Sequence, residues 1–245
     1  MANWSDPRTD SVGFGRTAPA DRQVAYDAGL RSYMLSVYNY MASGVLLTGI
    51  VAMLFARSGM AAQILGGPGL LKYVIMFAPL AFVMILSFGI NRLSTGAAQG
   101  LYWAYSVVMG LSLSSIFLVY TGTSIAQTFF ATAAAFAGLS LYGYTTKKDL
   151  SGFGTFLIMG VVGLLVASVI NIFLQSSAMD FAISVLGVLL FAGLTAYDTQ
   201  KIKSIYAHVA GTDMMGKTVI MGALSLYLDF INMFLFLLRF MGNRD

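Results

Sequence analysis

Residues 153–174 read FGTFLIMGVVGLLVASVINIFL, an uncharged run whose only polar side chains are Thr155, Ser168 and Asn171. A helix of that length spans about 30 Å, the thickness of the hydrocarbon core of a bilayer. Inside a bilayer the chain must satisfy its own backbone hydrogen bonds, which leaves helices and closed barrels. A barrel strand would show roughly ten-residue alternation of apolar and polar positions, and this run is continuous. It is therefore predicted to be a membrane-spanning helix.

Similar runs lie on either side, at about 33–56, 71–91, 97–119, 124–144, 181–206 and 218–240. Together they predict an all-α integral membrane protein, a seven-transmembrane helical bundle over residues 31–245. Pro79, inside the second run, is expected to kink it. Gly110, Gly138, Gly160, Gly163, Gly187 and Gly193 sit within runs and suit close helix packing. Trp103, Tyr102 and Tyr105, near the start of a run, are read as interface anchors. Residues 1–30 are polar, with Asp6, Asp10, Asp21 and Asp27 among Arg8, Arg16 and Arg22. They are expected to form a mobile cytoplasmic tail that turns helical near Asp21. The stretch is too long and too acidic for a signal peptide.

Composition agrees. Of the 245 residues, 58% are hydrophobic and 10% charged, against about 25% charged in an ordinary soluble domain. The mean hydropathy is +0.79. The acids are all Asp, so few solvated helix faces exist. Cysteine is absent and His208 is the one histidine, which excludes thiol nucleophiles, thiolate zinc sites and histidine clusters. The net charge of +4 has a topological explanation. With the N-terminus inside, Arg8, Arg16, Arg22, Arg31, Arg92, Lys147, Lys148, Lys201, Lys203 and Lys217 fall on one side. Only Arg57, Lys72, Arg239 and Arg244 fall on the other. No basic and aromatic interleaving lies outside the apolar runs, so nucleic acid is not an expected partner.

Two acids stand apart. Asp229 lies near the middle of the last run, in SLYLDFIN (225–232), and Asp198 lies in the inner half of the sixth, in GLTAYDTQ (193–200). A charge at bilayer depth costs at least about 2.5 kcal/mol, so each is expected to face the bundle interior. The midpoint between positions 198 and 229 falls within GTDMMG (211–216), a turn-like stretch. Folding there would bring the two carboxyls to similar heights on adjacent antiparallel helices. Two carboxyls together in low dielectric cannot both be charged and unpaired, and they would titrate as a coupled pair. Doubly deprotonated, Asp198 and Asp229 would offer hard oxygen ligands to Ca²⁺. The alternative is purely structural: bonding across helices to Asn171, Asn232, Tyr197 or Tyr227.

The stretches TAYDTQKI (195–202), LSLYLDFIN (224–232) and KKDL (147–150), in their order along the chain, resemble the Bax inhibitor-1 family in a bacterial form. The resemblance covers roughly residues 30–240. It implies seven helices with the last one central and wrapped by the other six. It further implies a pH-sensitive calcium leak channel in a bacterial inner membrane, in which Asp198 and Asp229 share a proton and gate the pore. Arg92 matches an arginine that latches onto the pair; an ordinary inner-side charge is its other reading. A glutamate present earlier in that helix in some bacterial members has no counterpart here. The resemblance also implies an alternative: a regulator that binds a membrane protease such as FtsH without carrying ions.

Other readings fare worse. Tyr197-Asp198 matches the Tyr-Asp of intramembrane aspartyl proteases, but Asp229 lacks the preceding Gly-x-Gly. A retinal protein needs a lysine at mid-membrane, and Lys217 is only at the start of its run. His208 is read as interfacial, and the fifteen methionines as adaptable packing. No enzymatic activity is expected, and no cofactor beyond Ca²⁺ as the bound or transported ion.

Overall fold

The computed structural model of the protein describes residues 19–243. In chain order its helices are α1 (Pro19–Arg57), the short α2 (Met60–Leu65), α3 (Leu71–Gly89), α4 (Thr95–Leu113), α5 (Gly122–Thr145), α6 (Ser151–Leu174), α7 (Ser177–Val209) and α8 (Met214–Met241). All but α2 are long and apolar enough to cross a membrane, seven among the described residues. Asp6, Asp10, Arg8, Arg16 and Arg244 lie outside the described residues, as do the side chains of Asp21 and Arg22.

Helix α1 starts at Pro19, close to the onset expected near Asp21, and runs unbroken into the membrane. Proline suits the first helical turn, where its missing N–H is no loss. Once nucleated, a helix extends through polar residues at one hydrogen bond per residue fixed, so a drop in hydropathy does not end it. Within this polar stretch the Gln23 side chain donates to Asp27 one turn on, at 3.0 Å. Pro79 lies inside α3, which continues past it to Gly89.

The helix starts carry their own signals. Ser94, Thr121 and Ser176 are extended N-cap residues whose hydroxyls accept from the backbone N–H three residues on. Between α7 and α8 the chain reverses through Gly211, whose φ of +75° suits a residue without a Cβ. The far ends of this hairpin are joined by an ion pair from Arg239 to Asp180.

Helix α8 packs directly on α7, α1, α5 and α4, whereas α3 and α6 pack chiefly on α4 and α7. Its most apolar stretch is 67% buried, against 33% for α7 and 11% for α3 and α6. The core forms where Leu226, Tyr227 and Met233 of α8 meet Tyr33 and Val37 of α1 and Tyr105 of α4. At the periphery, Phe173 of α6 is 82% exposed, which only a lipid surround makes favourable.

Two expectations need correction. Tyr102 and Tyr105 are fully buried, not interfacial. They lie three apart and so share one helix face, which α4 turns towards Tyr227. The Tyr102 hydroxyl donates to the Tyr40 carbonyl at 2.8 Å. Trp103, one residue round the helix, stays half-buried. Among the glycines, Gly110, Gly160, Gly187 and Gly193 do meet a neighbouring helix, but Gly138 and Gly163 face open space. Gly143, not among those glycines, comes closest to the backbone of another helix: a Cβ there would run into Ala196.

Candidate functional site

The α7–α8 hairpin turns where the spacing of the two aspartates placed it. Counting from the turn, Asp198 lies about 17 Å along α7 and Asp229 about 23 Å along α8, within roughly one helical pitch of each other. Asp229 is 4% exposed, and its Oδ2 is a buried oxygen without a hydrogen-bond partner. Asp198 is half-buried. The carboxyl of Asp198 acts electrostatically on that of Asp229 across the hairpin, and Lys201, one turn on, acts on Asp198. Among the described residues no hydrogen bond joins the two carboxyls directly.

The expected supporting residues divide. Asn232 shares a helix with Asp229, and its amide donates back to the Leu228 carbonyl at 2.8 Å. Tyr197 turns away from the pair, its ring against Gly154 of α6 and 5.8 Å from the Lys201 ammonium. Asn171 sits at the opposite end of the molecule, roughly 30 Å along α7 from Asp198. There its side-chain carbonyl accepts from the Ser176 N–H at 3.1 Å, closing the turn between α6 and α7. Arg92 is exposed in the turn after α3, and among the described residues it makes no ion pair with either aspartate.

Around the pair the hydroxyl groups are better connected than the sequence suggested. Tyr227, two residues before Asp229, bonds Thr48 of α1 at 2.7 Å, and Thr48 donates to the Ser106 carbonyl of α4 at 2.8 Å. A second chain runs from Tyr38 to Ser140 at 2.6 Å, to Thr199 at 2.9 Å, ending at the Thr195 carbonyl. It ties α1, α5 and α7 together beside Asp198. The i, i+4 spacing of Thr195 and Thr199 was the available signal for this face.

The loop KKDL is physically part of the same unit. Gln200 accepts from the Leu150 N–H and donates to the Lys148 carbonyl, both at 2.8 Å, pinning the α5–α6 loop to α7. Asp149 accepts from the Ser151 N–H at 2.9 Å. Bonds from Ser151, side chain first and then backbone, hold the Asp149 carboxyl below its ordinary range. Two of the sequence motifs are thus one hydrogen-bonded assembly at one end of the bundle.

A family model described as "Inhibitor of apoptosis-promoting Bax1" matches residues 30–245. The chain belongs to the Bax inhibitor-1 family. A Rickettsia prowazekii protein is 49% identical over 224 residues, covering 91% of this chain and 94% of that protein. A Caulobacter vibrioides protein is 49% identical over 246 residues, covering 95% and 98%. The inner membrane protein YbhL of Escherichia coli K12 is 46% identical over 240 residues, covering 97% and 98%. Family membership and the seven spanning helices agree on an integral membrane protein.

Proposed function

We propose that the protein is a pH-sensitive cation leak pathway, with Ca²⁺ as the ion, whose sensor and gate are Asp198 and Asp229. The supporting observation is the Asp229 carboxyl: nearly inaccessible, one oxygen unpartnered, and within the electrostatic reach of a second carboxyl. Such a group is costly to leave charged and unpaired at membrane depth. A proton held by the pair removes that cost. Deprotonation restores it and favours a packing that admits water, a cation or the Arg92 guanidinium. Proton binding thereby selects between two arrangements of the hairpin, closed when protonated at Asp229 and more open when not. In the open arrangement the two carboxylates would supply hard oxygen ligands to Ca²⁺. The inner membrane location rests on the similarity to YbhL, and a cytoplasmic N-terminus rests on the distribution of Lys and Arg.

The test is Ca²⁺ flux into liposomes carrying the purified protein, measured across neutral pH for wild type, Asp198→Asn and Asp229→Asn. The expected result is a pH-dependent wild-type flux that flattens in both variants. An unaltered pH profile in both would remove the pair as sensor.

A second reading is favoured by one feature of the same end of the molecule. Lys147, Lys148 and Lys201 surround a recess of about 280 Å³ beside the loop that Gln200 pins, a preformed basic face for a partner protein. A regulator of a membrane protease such as FtsH would use it together with the N-terminal residues. Deleting residues 2–25 separates the two readings: an ion pathway keeps its flux, whereas a docking protein loses its association.

A further inference from the structure

Helices α1 and α5 both pack on α8 but only sparsely on each other, with the Tyr38–Ser140 bond bridging them at one end. Between them runs a groove of about 810 Å³, within the range of small-molecule sites, floored by Phe230 of α8. Its walls are apolar, with Leu35 and Ala42 on one side and Ala133 and Ala137 on the other. It meets a second groove of about 610 Å³ at Val45, Phe129 and Phe230, and that one reaches Arg57. From Arg31 to Arg57 along α1 is about 39 Å, close to a bilayer with its headgroup layers.

The two ends differ. The Arg31 end carries the Tyr38–Ser140 hydroxyl pair and adjoins, through Tyr144, a polar recess lined by Lys203, Gln200 and Asp27. Asp27 accepts from the Gln23 amide, and Lys203 donates to the Tyr144 carbonyl at 2.7 Å. Arg31 is exposed and has no ion-pair partner among the described residues. The shape is that of an amphiphile: an uncommitted cation, then hydroxyls, then an apolar trough. A second helix laid in the groove would match the trough but leave Arg31 uncompensated.

We propose that the groove between α1 and α5 binds an anionic phospholipid, its phosphate on Arg31 and one acyl chain lying along the trough towards Phe129. Basic recesses between membrane helices are suited to anionic headgroups, and a guanidinium fits phosphate bidentately. The inference is independent of the aspartate pair.

The test uses the full-length protein in detergent, with phosphatidylglycerol or phosphatidylcholine added, followed by native mass spectrometry and thermal unfolding. The expected result is a one-to-one phosphatidylglycerol adduct that raises Tm more than phosphatidylcholine does. Arg31→Gln should weaken phosphatidylglycerol retention by about tenfold and erase the preference, while Arg57→Gln should leave both unchanged. Ala137→Phe should abolish both adducts by filling the trough. Ala42→Phe, from the opposite wall, is the second filling variant; both alanines are exposed, so neither disturbs the core. Equal retention of the two lipids by wild type and Arg31→Gln would overturn the proposal. So would stabilisation reproduced by inorganic phosphate alone, or a protein dimer, in place of a lipid adduct, that Ala137→Phe removes.

Discussion

At the scale of single residues, Asp229 contrasts with Tyr227 two positions earlier on the same helix. The Tyr227 hydroxyl is satisfied by Thr48, which in turn donates to Ser106, so the chain of bonds is complete. Asp229 leaves an oxygen unpaired in the same buried core. The two positions should therefore respond oppositely to loss of their polar atoms. Tyr227→Phe is expected to lower stability by about 1 kcal/mol, the net worth of a hydrogen bond. Asp229→Leu, with the same branching and number of heavy atoms, is expected to leave stability unchanged or to raise it, because it removes an unsatisfied polar group and puts carbon in its place. Thermal unfolding of both variants in one detergent checks this. A large loss in Asp229→Leu would mean that the carboxyl holds the fold rather than serving a function. The contrast also shows what sequence could reach. That Asp229 faces inward follows from the cost of charge in lipid, whereas the identity of its neighbours depends on how four helices rotate about their axes. Apolar runs do not encode that rotation.

Among the helices, hydropathy located every spanning segment because lipid acts as one uniform solvent along each of them. It did not see α2, whose six residues between α1 and α3 are too short to cross. Nor does it tell which face of α4 is inside: position near a run's start points Tyr102 and Tyr105 to the interface, whereas their i, i+3 spacing puts them on one buried face. Residue type alone makes Asn171 a candidate partner for the aspartates, but its helix places it at the far end of the bundle. Close packing is likewise specific to position. Gly143 lies against the Ala196 backbone, while Gly138, on the same helix, meets nothing. Gly143→Ala is expected to destabilise the α5–α7 contact by about 1–3 kcal/mol, the usual cost of overpacking. Gly138→Ala is expected to be neutral or slightly stabilising, since alanine is the better helix former. Comparing their unfolding midpoints tests whether α5 and α7 approach as closely as the structure has them. Equal effects would contradict that approach.

For the whole molecule, the last helix is the most buried and touches four others directly, and the aspartates lie on it and on its hairpin partner. Any change in charge at the pair therefore acts on the most connected part of the bundle, through neighbours that include the Tyr38–Ser140–Thr199 and Tyr227–Thr48 chains. The central claim is that Asp198 and Asp229 behave as one titrating unit. Infrared difference spectroscopy of the protonated carboxyl stretch, recorded against pH for wild type, Asp198→Asn and Asp229→Asn, tests it most directly. The account expects a coupled titration in the wild type, with the remaining carboxyl moving to a different midpoint when either partner is replaced. Two independent titrations, each indifferent to the other's substitution, would contradict it.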